Sequence, residues 1–213
     1  MSLYREHIPQ GPFRAKKELI LASASPRRQT LFALLGLDFR VLPARFQEPR
    51  FAWGQDPQEY ALSMAREKSR LVSEKYPDAL VLGADTIVVL DQEVLGKPES
   101  REHALEMLMR LQNSTHTVIT GVTLTCGQDR VEKSFAASTK VLMIPADQSV
   151  LGAYIDTGEP WDKAGAYAIQ GVGAFLIREL EGSYTNVVGL PLDLVLEKLL
   201  DLGAVEIASG DKT

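Results

Sequence analysis

The stretch ALVLGADTIVVL, residues 79–90, constrains this chain more than any other. It reads as a strand in the protein interior, and Asp85 and Thr86 are its only polar side chains. An unpaired carboxylate there is costly, so Asp85 must be neutralised, paired or bound to a metal. It either ends a strand by bonding local backbone amides or, at a Gly-flanked break, presents a chemical group from a sheet.

Around this strand the chain mixes helical and extended patterns. Residues 18–22 read as a short strand; Ser25, Pro26 and Gly36 mark the cap, first turn and stop of a helix. DPQE at 56–59 is a capping box for a helix to about Tyr76, whose apolar stripe (Ala61, Met64, Ala65, Leu71, Val72) includes Lys68. Asp91-Gln92 reads as a hairpin turn, and Ser100 caps a helix with Ala104, Met107, Leu108 and Leu111 inward. Residues 115–126 and 131–144 read as paired strands, 147–156 as a short helix, 158–189 as loops around a strand at 174–178, and Pro191 opens a helix to about Leu202. The order is not strict βαβ alternation, which predicts an α/β fold with a mixed sheet and flanking helices. The expected organisation is a polar N-terminal extension over 1–17, one domain over 18–204 and a tail over 205–213.

Composition narrows the function. The chain has 213 residues, 45% hydrophobic and 24% charged, with a net charge of −5, so a generic nucleic-acid binder is not expected. No run reaches the ~20 apolar residues of a membrane span and no secretory signal is visible, which predicts a cytoplasmic protein. Cys126 is the single cysteine, expected buried and inert. His7, His103 and His116 lack zinc-ligand spacing. P-loop, dinucleotide, nucleophile-elbow and zincin motifs are absent.

The cations are more informative. Arg27 and Arg28 follow two serines at a helix start, where positive charge is disfavoured by about 0.3–1 kcal/mol each. They are either solvated surface arginines or, with the free helix N–H groups, an anion cradle whose two guanidinium forks grip phosphate. Lys68 either snorkels over apolar surface or faces the same anion. Lys97 in LGKP reads as a turn lysine or a further contact, and Glu48 in ARFQEPR as a surface glutamate or a metal-side acid. Together they form the inventory for a nucleoside triphosphate, which carries about −4 and is normally bound with Mg²⁺.

The motifs ASASPRRQTLFALLG, AREKS, GADTIVVLD, VLGKP, THTVITGV and GEPWDKAGAYAIQGVGAFLIRELEGSYTNVVGLPL resemble the Maf family of nucleotide pyrophosphatases from about Leu19 to Leu200. The resemblance implies an elongated mixed sheet with a central cleft between two lobes, like that of the inosine triphosphate pyrophosphatases. It implies hydrolysis of a nucleoside triphosphate to monophosphate and pyrophosphate with a divalent cation, Mg²⁺ or Mn²⁺, in the branch acting on dTTP and UTP. Carried over by position, Asp85 is the general base, and Ser23, Arg27, Arg28, Lys68 and Lys97 contact the triphosphate. Arg27, Thr86 and Gln170 select the base, and Glu48 and Asp85 lie at the metal. Gln170 also reads as a loop amide, and Asp162-Lys163 as a structural ion pair. The expected partner is the nucleotide, with no nucleic acid or membrane; a homodimer stays open. The competing reading is a non-catalytic nucleotide-binding regulator of cell division.

Overall fold

The computed structural model describes residues 11–208 except Trp53. His7 and the remainder of both termini lie outside the described residues. Two long strands organise the chain: β4 (Leu80–Leu90) and β6 (Thr115–Cys126) pair antiparallel, with Asp85 opposite Gly121. β2 (Leu19–Leu21) runs parallel to the first part of β4 and carries β3 (Arg40–Val41) at the sheet edge. β5 (Glu93–Leu95) folds back on the far end of β4 through Asp91 and Gln92, whose φ values of 50° and 67° make the tight hairpin expected there. β7 (Val131–Met143) and β8 (Ile177–Glu181) complete a mixed sheet in the order β3-β2-β4-β6-β7-β8. The α/β class with flanking helices is as expected.

Helix α2 (Pro57–Ser73) crosses one face of β4 and β6. It lies close because the strands carry glycine beneath it: a Cβ at Gly83 would sit 2.2 Å from the Ala65 carbonyl oxygen, and one at Gly121 2.6 Å from the Ala61 carbonyl carbon. On the other face two separate cores form. The first joins Leu80, Leu82 and Ala84 to α1 (Pro26–Ala33) and α6 (Leu192–Asp201). The second joins Val88 and Leu90 to α3 (Arg101–Leu111) and α4 (Gln148–Asp156). These five residues are all even-numbered and share one face of β4. Thr86, on that same face, falls in the gap between the cores.

Four expectations change. The extension and tail are joined: β1 (Phe13–Ala15) pairs antiparallel with β9 (Val205–Ile207), and Phe13, Ala15 and Val205 pack on the first core. The folded unit therefore reaches beyond 18–204 on both sides. Residues 172–176 form a 3₁₀ turn, so β8 starts three residues later than the strand expected at 174. A short helix, α5 (Tyr184–Val188), stands where only loop was expected, capped by Ser183 and ended by Gly189 at φ 129°. Ser25 sits at the α1 N-cap position in extended backbone, but its hydroxyl makes no cap bond.

Candidate active site

On the edge away from β6, β4 is paired with β2 only up to Leu82 and with β5 only from Val88. Residues 83–87 therefore border a notch in the sheet. Successive side chains point to opposite faces, so Asp85 projects toward α2 and Thr86 toward the gap between the cores. Through the notch both line one cleft of about 610 Å³. Ser23, Arg27, Arg28, Glu48, Lys68, Asp85, Thr86, Lys97 and Gln170, the residues singled out from the sequence, all line that cleft.

The α2 side holds the acids. Lys68 follows Ala61 and Ala65 on the buried stripe of α2. Its Nζ lies 2.7 Å from Asp85 Oδ1 and 2.9 Å from a Glu48 carboxylate oxygen. The Asp85 side chain is only 12% exposed, so this ammonium is what makes burial of its charge tolerable. Tyr60, two turns before Lys68, also lines the cleft and donates to the Pro49 carbonyl, tying down the segment that carries Glu48. Burial, with Asp85 and Glu48 nearby, pushes the Tyr60 hydroxyl pKa up.

The opposite side separates the two arginines. Arg28 Nε donates to the Gly189 carbonyl (2.8 Å), one terminal nitrogen to the Ala84 carbonyl (2.9 Å) and Ser23 Oγ (3.3 Å), and the other to Thr86 Oγ1 (2.9 Å). Four of its five N–H donors are thus spent on the protein. Arg28 closes the open edge of β4 with these bonds and lines the cleft beside Arg27, where the triphosphate contact expected of it is a proposal. Desolvation lowers its pKa, and the nearby Asp85 charge works against that lowering. Thr86 Oγ1 also meets Thr120 Oγ1 at 2.9 Å, and Thr120 donates to the Asn186 carbonyl. Arg27 is aimed outward, with one terminal nitrogen 3.2 Å from Asp162 Oδ2.

Asp162 bonds Lys163 as well, and both line the cleft. Burial disfavours the Asp162 charge, but the bond to Lys163 and the charges of Lys163 and Arg27 hold its pKa below the usual carboxylate range. The expected Asp162-Lys163 pair is therefore present, extended to Arg27 across the cleft. Among the described residues, Lys97 and Gln170 have no side-chain partner, and both are exposed at the rim. Lys163 and Tyr60 were not assigned to the site from sequence. Tyr60 was detectable from its i, i+4, i+8 spacing with Met64 and Lys68; Lys163 lay in the motif GEPWDKAGAY but read only as the partner of Asp162.

No cluster of three or more His, Cys, Asp or Glu side chains suited to a metal occurs among the described residues. Glu48 and Asp85 supply two carboxylates flanking one ammonium. That donor set suits a hard dication that keeps several waters and takes further oxygens from a phosphate ligand, as Mg²⁺ does.

Residues 18–202 match the family model described as Maf-like protein. The chain belongs to the Maf family. Its Maf relatives include proteins named dTTP/UTP pyrophosphatase from Nitratidesulfovibrio vulgaris, 45% identical over 92% of each chain. Others so named are from Syntrophus aciditrophicus, 44% identical over 92% of this chain and 95% of the relative, and Desulfotalea psychrophila, 43% identical over 92% and 100%. A nucleoside-triphosphatase (dITP/XTP pyrophosphatase) from Mycobacterium abscessus superposes with a TM-score of 0.42 at 14% identity, over 88% of this chain and 97% of that one, too distant a likeness to carry an inference. No helix among the described residues is long and apolar enough to cross a membrane.

Proposed function

We propose that this Maf protein hydrolyses pyrimidine nucleoside triphosphates, dTTP and UTP, to the monophosphate and pyrophosphate in the cytoplasm. The observation that carries the reading is the placement of Asp85, flanked by Lys68 and Glu48, on one wall of a cleft whose other walls hold Arg27, Lys97 and Lys163. The names of the relatives supply the reaction and the pyrimidine preference.

The triphosphate lies along the cations. Arg27 exchanges Asp162 for a phosphate oxygen, and Lys97, free at the rim, closes on the same chain of phosphates. The free N–H groups at the start of α1 add to the field. Attack occurs at the α-phosphorus, and negative charge builds on the departing pyrophosphate, where Arg27 and the lysines stabilise it. Asp85 Oδ1 is engaged by Lys68, and Oδ2, with no protein hydrogen bond among the described residues, receives the proton of the attacking water. Glu48 and Asp85 would hold the divalent cation, Mg²⁺ or Mn²⁺, which supplies charge neutralisation and a water more acidic than bulk water. Gln170 offers two N–H donors and a carbonyl to the pyrimidine edge. Thr86 acts on specificity through Arg28 and the Gly189 backbone, since its hydroxyl is already committed.

A pyrophosphate-release assay over the canonical nucleoside triphosphates tests this. UTP and dTTP should be cleaved fastest, and chelation of divalent cations should abolish turnover. Asp85→Asn should lower kcat by roughly 10²–10⁴-fold while a non-hydrolysable UTP analogue still binds. Near-normal turnover by Asp85→Asn removes the assignment of the base. Nucleotide binding without any release of pyrophosphate would favour the regulator instead.

A further inference from the structure

Gln170 sits in an exposed segment, yet both ends of that segment are gripped from behind by one pair of side chains. Glu159 accepts hydrogen bonds from the Val172 and Gly173 amides, each at 2.8 Å. The Tyr154 hydroxyl donates to Glu159 Oε2 at 2.9 Å and accepts from the Ala168 amide at 3.2 Å. Tyr154 is itself fixed in the second core, 2% exposed. Between the anchored amides lie Ile169, Gln170 and Gly171, and Gly171 has φ 126°, a conformation open to glycine. A side chain there would also place its Cβ 2.0 Å from Glu159 Oε1.

We propose that Glu159 and Tyr154 are positioning residues for base selection: the carboxylate and the phenol hold the 168–173 backbone so that Gln170 meets the pyrimidine edge in one orientation. The inference rests on the assignment of Gln170 to the base. A glutamine at an unrestrained loop tip loses side-chain and backbone freedom on binding, and that cost falls on every nucleotide alike. With the backbone ordered in advance, a base lacking the complementary edge leaves amide groups unpaired, and discrimination follows. A carboxylate is the suited anchor because it accepts from two adjacent amides and a hydroxyl at once, and bonds to a charged acceptor are the stronger kind.

The test uses Glu159→Gln, Tyr154→Phe and Gln170→Ala in the full chain. Discrimination is read as the ratio of kcat/KM for UTP to that for ATP, with calorimetric Kd values for non-hydrolysable analogues of both. Tyr154→Phe keeps the core packing, so it stands in if Glu159→Gln folds poorly. Each clamp variant should reduce the ratio about tenfold, the effect of one lost charge-assisted bond. The change should appear mainly in KM and Kd for UTP, with kcat for UTP little altered. Adding either clamp variant to Gln170→Ala should change the ratio no further. If Gln170→Ala lowers the ratio and the clamp variants do not, the clamp is overturned and the base assignment stands. If Gln170→Ala leaves the ratio unchanged, the base assignment fails and takes the clamp with it. Equal loss of kcat on both nucleotides in the clamp variants also overturns the proposal, since it marks a purely structural role.

Discussion

Arg27 and Arg28 are adjacent and chemically identical, yet their tasks diverge. Two neighbours on a helix point about 100° apart, and the notch in the sheet lies on only one of those sides. Arg28 turns inward and spends its donors on Ala84, Gly189, Thr86 and Ser23; Arg27 turns toward the cleft opening and an exchangeable carboxylate. Arg28→Lys retains the charge but cannot reproduce the fork. It should cost about 1–3 kcal/mol of stability through unpaired buried acceptors, read as a lower thermal midpoint. Arg27→Lys should leave that midpoint nearly unchanged and instead raise KM for the nucleotide. Equal stability loss in both variants would contradict the division.

At the scale of elements, the site depends on how closely α2 approaches the sheet. Lys68 reaches Asp85 because Gly83 and Gly121 leave nothing between helix and strands. Gly121→Ala would drive a methyl group into the α2 backbone at Ala61. The expected cost is about 1–3 kcal/mol, with α2 displaced. Because Lys68 and Tyr60 travel with the helix, turnover should fall more than the stability loss alone explains, even at a temperature where the variant is fully folded. Activity assays paired with thermal unfolding would show this. The long strands β4, β6 and β7, the N-caps of α2 and α3, and the inner face of α3 were legible because periodicity and caps are local signals. The segment 158–189 was not: Glu159 bonds residues 13 and 14 positions away, and α5 is tied through Asn186 to Val118 and Thr139 on two strands.

For the whole molecule, the clearest pH dependence comes from His116, whose partner Tyr167 lines the cleft. It is 2% exposed; its Nε2 pairs with the Tyr167 hydroxyl at 2.6 Å, and Nδ1 has no partner among the described residues. Burial lowers its pKa to about 4, against about 6.5 in an unfolded chain. Between those values the unfolded state binds more protons, so stability rises with pH across that window and is unaffected by this group above it. The full effect is roughly 3–3.5 kcal/mol for such a shift. In His116→Gln, denaturant midpoints between pH 4 and 6.5 should flatten relative to the parent. An unchanged slope would assign the dependence elsewhere. The β1–β9 ribbon likewise belongs to this scale, since it ties the two ends of the chain onto the first core.

What the sequence determined by itself was the set of parts: a long apolar strand carrying one carboxylate, the helices with their caps and inner faces, and the cations that an anionic ligand needs. Those follow from local periodicity and from the cost of burying charge, which act within a few residues. Only the tertiary structure decided which groups are free to act. Whether a guanidinium meets a carboxylate across the cleft or a backbone carbonyl depends on where pairing of β4 stops on one edge. That break is set by the lengths of β2 and β5, which lie more than seventy residues apart on either side of α2. Hydrogen bonds reach only about 3 Å, so partners distant in sequence assign each donor, and no local pattern can.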